Sequence, residues 1–67
     1  MEFAEIIKEL RKEKKLSQKQ LSEKLGVSQS AIAKWEVSKT EPTASALLLL
    51  SKFFDVTVGQ LLGSEEI

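Results

Sequence analysis

The fold is decided by residues 18–37, which read QKQLSEKLGVSQSAIAKWEV. The apolar side chains of this stretch are Leu21, Leu25, Val27, Ile32 and Trp35. Gly26 directly follows Leu25, at the position where the end of a helix needs left-handed backbone, a conformation that glycine adopts easily. The stretch therefore predicts two short helices, about 18–25 and 29–37, joined by a tight turn.

Serines stand before both helices, where their side chains can cap them. Ser17 is followed three residues later by Gln20, which completes a capping box, and Ser28 precedes the second helix. Each cap satisfies backbone N–H groups that a helix leaves without a partner at its start. Two capped helices with so short a link must cross steeply and share one core. This arrangement is the helix-turn-helix, whose second helix can enter a DNA major groove.

The remaining chain predicts three further helices. Apolar residues spaced by three and four predict an amphipathic helix over residues 2–14. A fourth helix is predicted over about 44–54, after a break at Pro42, and a fifth is predicted to end near Leu62. The residues expected to cap these two helices are Thr43, and Thr57 with Gln60. We therefore expect a single all-α domain of five helices spanning residues 1–67.

The composition narrows the functions open to the chain. Its 67 residues include no Cys and no His, which excludes disulfides and the usual soft metal sites, so we expect no metal and no cofactor. Without Cys and His, few combinations of a catalytic nucleophile and a general base remain. We therefore expect no catalytic residues and no enzyme activity. No apolar run approaches the roughly 20 residues of a membrane helix, and the start MEFAEIIKEL lacks the pattern of a signal peptide. A cytoplasmic protein without membrane contact is expected.

Charge is distributed unevenly along the chain, although the formal net charge is zero. Residues 11–39 hold eight basic and three acidic residues, a net of +5, whereas residues 1–10 carry −2 and residues 40–67 carry −3. A basic middle between acidic flanks suits docking of one face on a polyanion. An ordinary charged surface in water explains the same pattern, so charge alone leaves both interpretations open.

The second helix of the motif carries the predicted base-reading residues. At about 100° per residue, Ile32 and Trp35 share the inward side. The side chains that point away are Gln29, Ser30, Ala33 and Lys34. Glutamine pairs with adenine N6 and N7, lysine reaches guanine O6 or N7, and an alanine methyl contacts the thymine methyl. The alternative is an ordinary polar helix face in water, but the capped turn before this helix favours the DNA interpretation.

Residues 10–43, LRKEKKLSQKQLSEKLGVSQSAIAKWEVSKTEPT, resemble the phage Cro/cI repressor-type helix-turn-helix domain, also called the XRE family. The matching features are Leu10-Arg11, Ser17-Gln18, Leu21, Leu25-Gly26-Val27, Ser28-Gln29, Ile32, Trp35-Glu36, Lys39 and Pro42. The similarity continues to Leu61-Leu62 and so covers essentially the whole chain. The resemblance implies a compact five-helix bundle of the lambda-repressor-like DNA-binding type. It also implies a small transcriptional regulator, expected to be a repressor, that binds double-stranded DNA.

The resemblance further implies roles for individual residues. Gln18 would donate to a phosphate and brace Gln29, and Arg11 would pair with Glu36, which makes Glu36 structural. The predicted phosphate-binding residues are Gln18, Lys19, Ser28, Ser38, Lys39 and Thr40. Because Ser38 stands where the family commonly has Gly, the loop after the second helix of the motif is expected to have a different shape.

The predicted fourth helix contains more large apolar residues than one inward stripe can hold. The inward stripe consists of Leu47, Leu50 and Phe54. Leu49 and Phe53 lie one turn apart on nearly the opposite side, and the family usually has a polar residue at the place of Leu49. This pair is either scattered apolar surface or the centre of a dimer or partner surface. At the C-terminal end, where such repressors frequently dimerise, apolar surface is added by Leu61, Leu62 and Ile67.

Dimerisation is also expected from affinity. One recognition helix reads too few base pairs to stand out among the competing sites of a genome. Two copies about 34 Å apart on a twofold axis read a palindromic operator, so we expect a homodimer. The rival function is a protein-interaction module, such as an antitoxin or anti-repressor, that holds another protein with Leu49 and Phe53. Salt-dependent DNA binding separates the two, because phosphate contacts release counterions.

Overall fold

Five α-helices form the part of the chain that the computed structural model describes, residues 2–37 and 42–66. They are α1 (Phe3–Glu13), α2 (Gln18–Leu25), α3 (Gln29–Val37), α4 (Ala44–Phe54) and α5 (Val58–Leu61). The predicted all-α fold of five helices is confirmed, and α1 is one residue shorter at each end than predicted. Within these ranges, no helix has both the length and the apolar composition that crossing a membrane requires, and no group of three or more acidic residues is placed to hold a metal ion.

The predicted capping boxes are present at the starts of α2 and α5. Ser17 Oγ accepts from the Gln20 backbone amide at 3.0 Å, and Gln20 Oε1 accepts from the Ser17 amide at 2.8 Å. Thr57 and Gln60 form the same two hydrogen bonds, each 2.9 Å long. Thr43 caps α4 with its side-chain oxygen. These local pairs determine where the helices begin, because they satisfy amides that have no partner inside the helix.

Within the described residues, left-handed backbone follows four of the helices, including α5, after which Gly63 has φ 80°. Gly26, with φ 72°, follows α2 as predicted, and Asp55, with φ 56°, ends α4. Asp is one of the few residues besides glycine that adopt this conformation readily. Lys15, with φ 58°, follows α1, and no signal in the sequence points to it. The turn is closed by the Leu16 amide, which donates to the Arg11 carbonyl at 3.2 Å.

The core forms where the five helices meet. Its fully buried side chains are Ile7, Leu21, Ile32, Leu50 and Leu61. The predicted inward stripe of α4 is confirmed, since Leu47, Leu50 and Phe54 are all buried. α3 packs against α1 and α2, whereas α4 packs against α2 and α5. α3 therefore contributes Ile32 to the core from one side and leaves its other side open.

Candidate nucleic-acid interface

The open side of α3 carries the residues predicted to read bases. The side chains of Gln29, Ser30 and Lys34 are exposed, and that of Ala33 is half-buried. On the opposite side, Ile32 is fully buried. α3 thus presents an amide, a hydroxyl and an ammonium group to solvent from a helix that is anchored in the core. These groups have the hydrogen-bonding capacity that base edges require, and their contacts with DNA stay a prediction.

Ser28 fixes the start of α3. Its Oγ accepts from the Ala31 backbone amide at 3.1 Å, which confirms the predicted cap. A serine hydroxyl can accept and donate at the same time, so this cap is compatible with donation by Ser28 to a phosphate oxygen. Lys19, on α2, is exposed to solvent. The phosphate-binding roles of both residues remain predictions.

A buried ion pair holds the ends of α1 and α3 together. Arg11 Nε and Nη2 donate to the two carboxylate oxygens of Glu36 at 2.6 and 3.0 Å, a bidentate arrangement. The remaining nitrogen, Nη1, donates to the carbonyl of Leu16 at 2.7 Å and ties the α1–α2 loop to the pair. Only 12% of the Arg11 side chain and 3% of the Glu36 side chain are exposed. The pairing predicted for these residues is confirmed, and it is the one ion pair within residues 2–37 and 42–66.

The surroundings of Glu36 keep it in the charged form. Burial raises the pKa of this carboxyl, but hydrogen bonds from Arg11 and Gln18 and the positive charges of Arg11 and Lys8 outweigh burial. The pKa of Glu36 therefore lies below its ordinary value. The hydrogen bond to Glu36 in turn raises the pKa of Arg11. Both partners are charged at neutral pH.

Gln18 has a different partner from the predicted one. Its Nε2 donates to Glu36 Oε1 at 3.1 Å, and it forms no hydrogen bond with Gln29, which is also described. The expected brace between Gln18 and Gln29 is therefore absent. Gln18 bonds to Glu36 because a charged carboxylate is a stronger acceptor than a neutral amide. Gln18 Nε2 has a second N–H, so a bond to a phosphate stays compatible with this geometry.

Part of the predicted phosphate-binding set lies outside the described residues. These residues are Ser38, Lys39 and Thr40. Ile67, expected to add apolar surface at the C-terminal end, also lies outside them. Their assignments remain predictions from the sequence.

The structure places the residues of the predicted dimer or partner surface in different surroundings. Leu49 is 37% exposed on α4, and Phe53 and Leu62 are half-buried. Leu61 is fully buried, so its assignment to this surface is wrong. The reason is that α5 packs against α1 and α4, which turns Leu61 into the core. Leu48, which the sequence analysis did not assign to this surface, is 56% exposed beside Leu49.

The capped turn, the anchored α3 and its polar outer face define a helix-turn-helix DNA-binding domain of the XRE type. The helix-turn-helix family HTH_3 matches residues 7–61, and the chain belongs to this family. The chain is similar to the HTH-type transcriptional activator BcrR of Enterococcus faecalis, with 49% identity over 67 residues, which are 100% of this chain and 33% of that protein. Repressor protein C2 of Salmonella phage P22 is 43% identical over 60 residues, which are 90% of this chain and 28% of the repressor.

Two solved structures have the same fold. The solution structure of the DNA-binding domain of the P22 C2 repressor matches with a TM-score of 0.79 and 39% identity, over 91% of this chain and 80% of that domain. A crystal structure of a transcriptional regulator from Listeria innocua matches with a TM-score of 0.83 and 29% identity, over 98% of this chain and 62% of that protein. The chain spans about a third of the length of BcrR and less than a third of the P22 repressor.

Proposed function

We propose that the chain binds double-stranded DNA sequence-specifically, with α3 in the major groove, and that it regulates transcription as a repressor in the cytoplasm. The observation that carries this proposal is the exposed polar face of α3. Buried Ile32 and the Arg11–Glu36 pair anchor this helix in the domain. Such an anchor suits the reading of base edges, which requires side chains on a rigid support. One of the relatives named above is a transcriptional activator and the other is a repressor. Both names support a role in the regulation of transcription.

Two sets of residues would make the contacts. The base-reading set on α3 is Gln29, Ser30, Ala33 and Lys34. The set that holds phosphates and thereby positions α3 is Gln18, Lys19, Ser28, Ser38, Lys39 and Thr40. Phosphate contacts supply affinity on every sequence, whereas base contacts supply the preference for one sequence. The excess of basic residues between 11 and 39 supports the same orientation.

We infer a single helix-turn-helix domain over residues 1–67 that acts as a homodimer on a palindromic operator. One α3 contacts only a few base pairs, and two related by a twofold axis double the number read. Exposed apolar side chains on α4, at Leu48 and Leu49, support association with another chain. The same observation favours a second function, a protein-interaction module such as an antitoxin or anti-repressor.

Selection from a random duplex library at two salt concentrations tests the proposal. Purified protein is expected to enrich two short half-sites in palindromic arrangement at both concentrations. The matched variants are Gln29→Ala on α3 and Glu23→Ala on the exposed side of α2. Only the first is expected to change the enriched sequence. Binding that disappears at moderate salt without any preferred sequence would overturn the proposal and favour the interaction module.

A further inference from the structure

A shallow groove of about 330 Å³ lies where the end of α1, the α1–α2 loop, α2 and α4 meet. It is lined by four residues, here called the basic groove: Lys14, Leu16, Lys24 and Phe53. None of the four is among the residues proposed to contact DNA, although Lys24 lies on α2 together with Gln18 and Lys19. None of them is acidic, so the groove carries positive charge only.

The floor of the basic groove is apolar. Leu16 and Phe53 are half-buried and pack against the core from its outer side. Leu49, exposed one helical turn before Phe53, extends this apolar surface along α4. A volume of about 330 Å³ is near the lower limit of about 300 Å³ for ligand pockets, so it suits one or two apolar side chains of a partner.

The rim of the basic groove carries two lysines without an opposite charge. Lys14 and Lys24 are exposed, and neither forms an ion pair with another described residue. Lys14 Nζ lies 5.4 Å from the centre of the Phe53 ring, a cation–π contact that holds the ammonium group over the apolar floor. Phe54 contacts the same ring edge-on, with the ring centres 5.0 Å apart. The groove thus combines a fixed aromatic ring with positive charge beside it.

We propose that the basic groove is a docking site for an acidic segment of another protein that carries a large apolar side chain. The apolar side chain covers Leu16 and Phe53, and the carboxylates of the segment neutralise Lys14 and Lys24. Duplex DNA offers phosphates but no side chain to cover the floor. A single-stranded base would have to displace Lys14 from the ring before it could stack there. The inference deepens the second function proposed above, the protein-interaction module, and does not rest on DNA binding, because no residue of α3 takes part.

A displayed library of random 12-residue peptides tests this inference on the whole chain. The library is selected on the wild-type protein and depleted on the variant Lys14→Glu/Lys24→Glu, whose changes are at exposed positions and are expected to leave the fold intact by circular dichroism. The enriched peptides are expected to carry net negative charge and at least one large apolar residue. An enriched peptide, synthesised with a fluorophore, should bind the double variant at least about tenfold more weakly by fluorescence anisotropy.

Two matched controls decide the outcome. Lys52→Glu makes the same Lys→Glu exchange at one position, on α4 outside the groove, and should alter affinity by no more than about twofold. Replacement of the apolar residue of the peptide by serine should abolish binding without any change to the protein. The inference is overturned if no peptide is enriched, if Lys52→Glu weakens binding as much, or if a single-stranded oligonucleotide displaces the peptide. It is also overturned if the double variant converts a dimer to a monomer, because the groove would then be an interface between copies.

Discussion

Replacement of Arg11 by methionine should destabilise the domain strongly, because it leaves the Glu36 carboxylate buried without its partner. Only 3% of the Glu36 side chain is exposed, so water cannot replace the lost bonds. Removing one member of a buried ion pair typically costs about 3–5 kcal/mol. We expect about 3 kcal/mol here, since Arg11 itself retains some exposure and Gln18 still donates to Glu36. A domain of this size has about 3–10 kcal/mol of total stability, so much of the chain would be near unfolding.

Urea denaturation followed by circular dichroism and by the fluorescence of Trp35, half-buried on α3, measures this loss. Lys12→Met is the matched control, because it removes a neighbouring charge from an exposed position of α1 and should change stability by less than about 0.5 kcal/mol. The double variant Arg11→Met/Glu36→Leu should recover most of the loss, since it leaves no buried charge. Equal effects of Arg11→Met and Lys12→Met would refute the reasoning. So would a double variant as unstable as the single one.

The dependence on pH separates a buried charge from lost packing. In the wild type the pKa of Glu36 is lower in the folded than in the unfolded state. Its contribution to stability is therefore present above the unfolded pKa of about 4.3 and is lost as the pH falls through the folded pKa. In Arg11→Met the carboxyl loses its main partner, so its folded pKa rises above the unfolded value. The loss of stability should then be smaller at about pH 4 than at pH 7, whereas a packing defect would be independent of pH.

Three further substitutions test the interface and the turn. Gln29→Ala should weaken the preference for one or two base pairs by about 1–3 kcal/mol each in the duplex selection, and an equal loss on all sequences would contradict base reading. Lys19→Ala should lower affinity on every sequence and reduce the slope of log K against log salt by about one, and an unchanged slope would remove it from the phosphate set. Gly26→Ala should destabilise the folded domain by about 1–2 kcal/mol, measured by thermal denaturation. The loss would come from backbone strain alone, since an added Cβ meets nothing within 4 Å. An unchanged stability would contradict the left-handed turn.

The helix bounds could be predicted from the sequence because their signals are local. Ser17 and Gln20 are three residues apart, and so are Thr57 and Gln60, so each capping box forms before any distant part of the chain is in place. Gly26 acts in the same way, since its conformation depends on its own missing side chain. The inward faces of α3 and α4 followed from helical periodicity for the same reason.

Features that depend on distant residues could not be predicted from local patterns, and the Arg11–Glu36 pair was predicted only through the family resemblance. Gln18 donates to a carboxylate 18 positions further along the chain, and that choice exists only once α3 has packed against α1 and α2. Nothing in the sequence around Leu61 distinguishes a buried leucine from an exposed one. Leu61 is buried because α5 packs against α1 and α4. Lys15 adopts left-handed backbone because the turn between α1 and α2 requires it, although lysine has no preference for this conformation.

Glu36 is buried near the C-terminal end of α3, whereas Gln29, Ser30 and Lys34 of the predicted base-reading set are exposed. The groups that stabilise the helix and the groups that would choose a DNA sequence are therefore different residues. Substitutions at exposed positions such as Gln29, Ser30 and Lys34 should change stability by less than about 0.5 kcal/mol. During evolution, substitution of a few exposed residues on α3 would then change the DNA sequence that is bound. Selection for stability would act on Arg11 and Glu36. The same separation makes α3 a site where an engineer can exchange specificity without redesigning the domain.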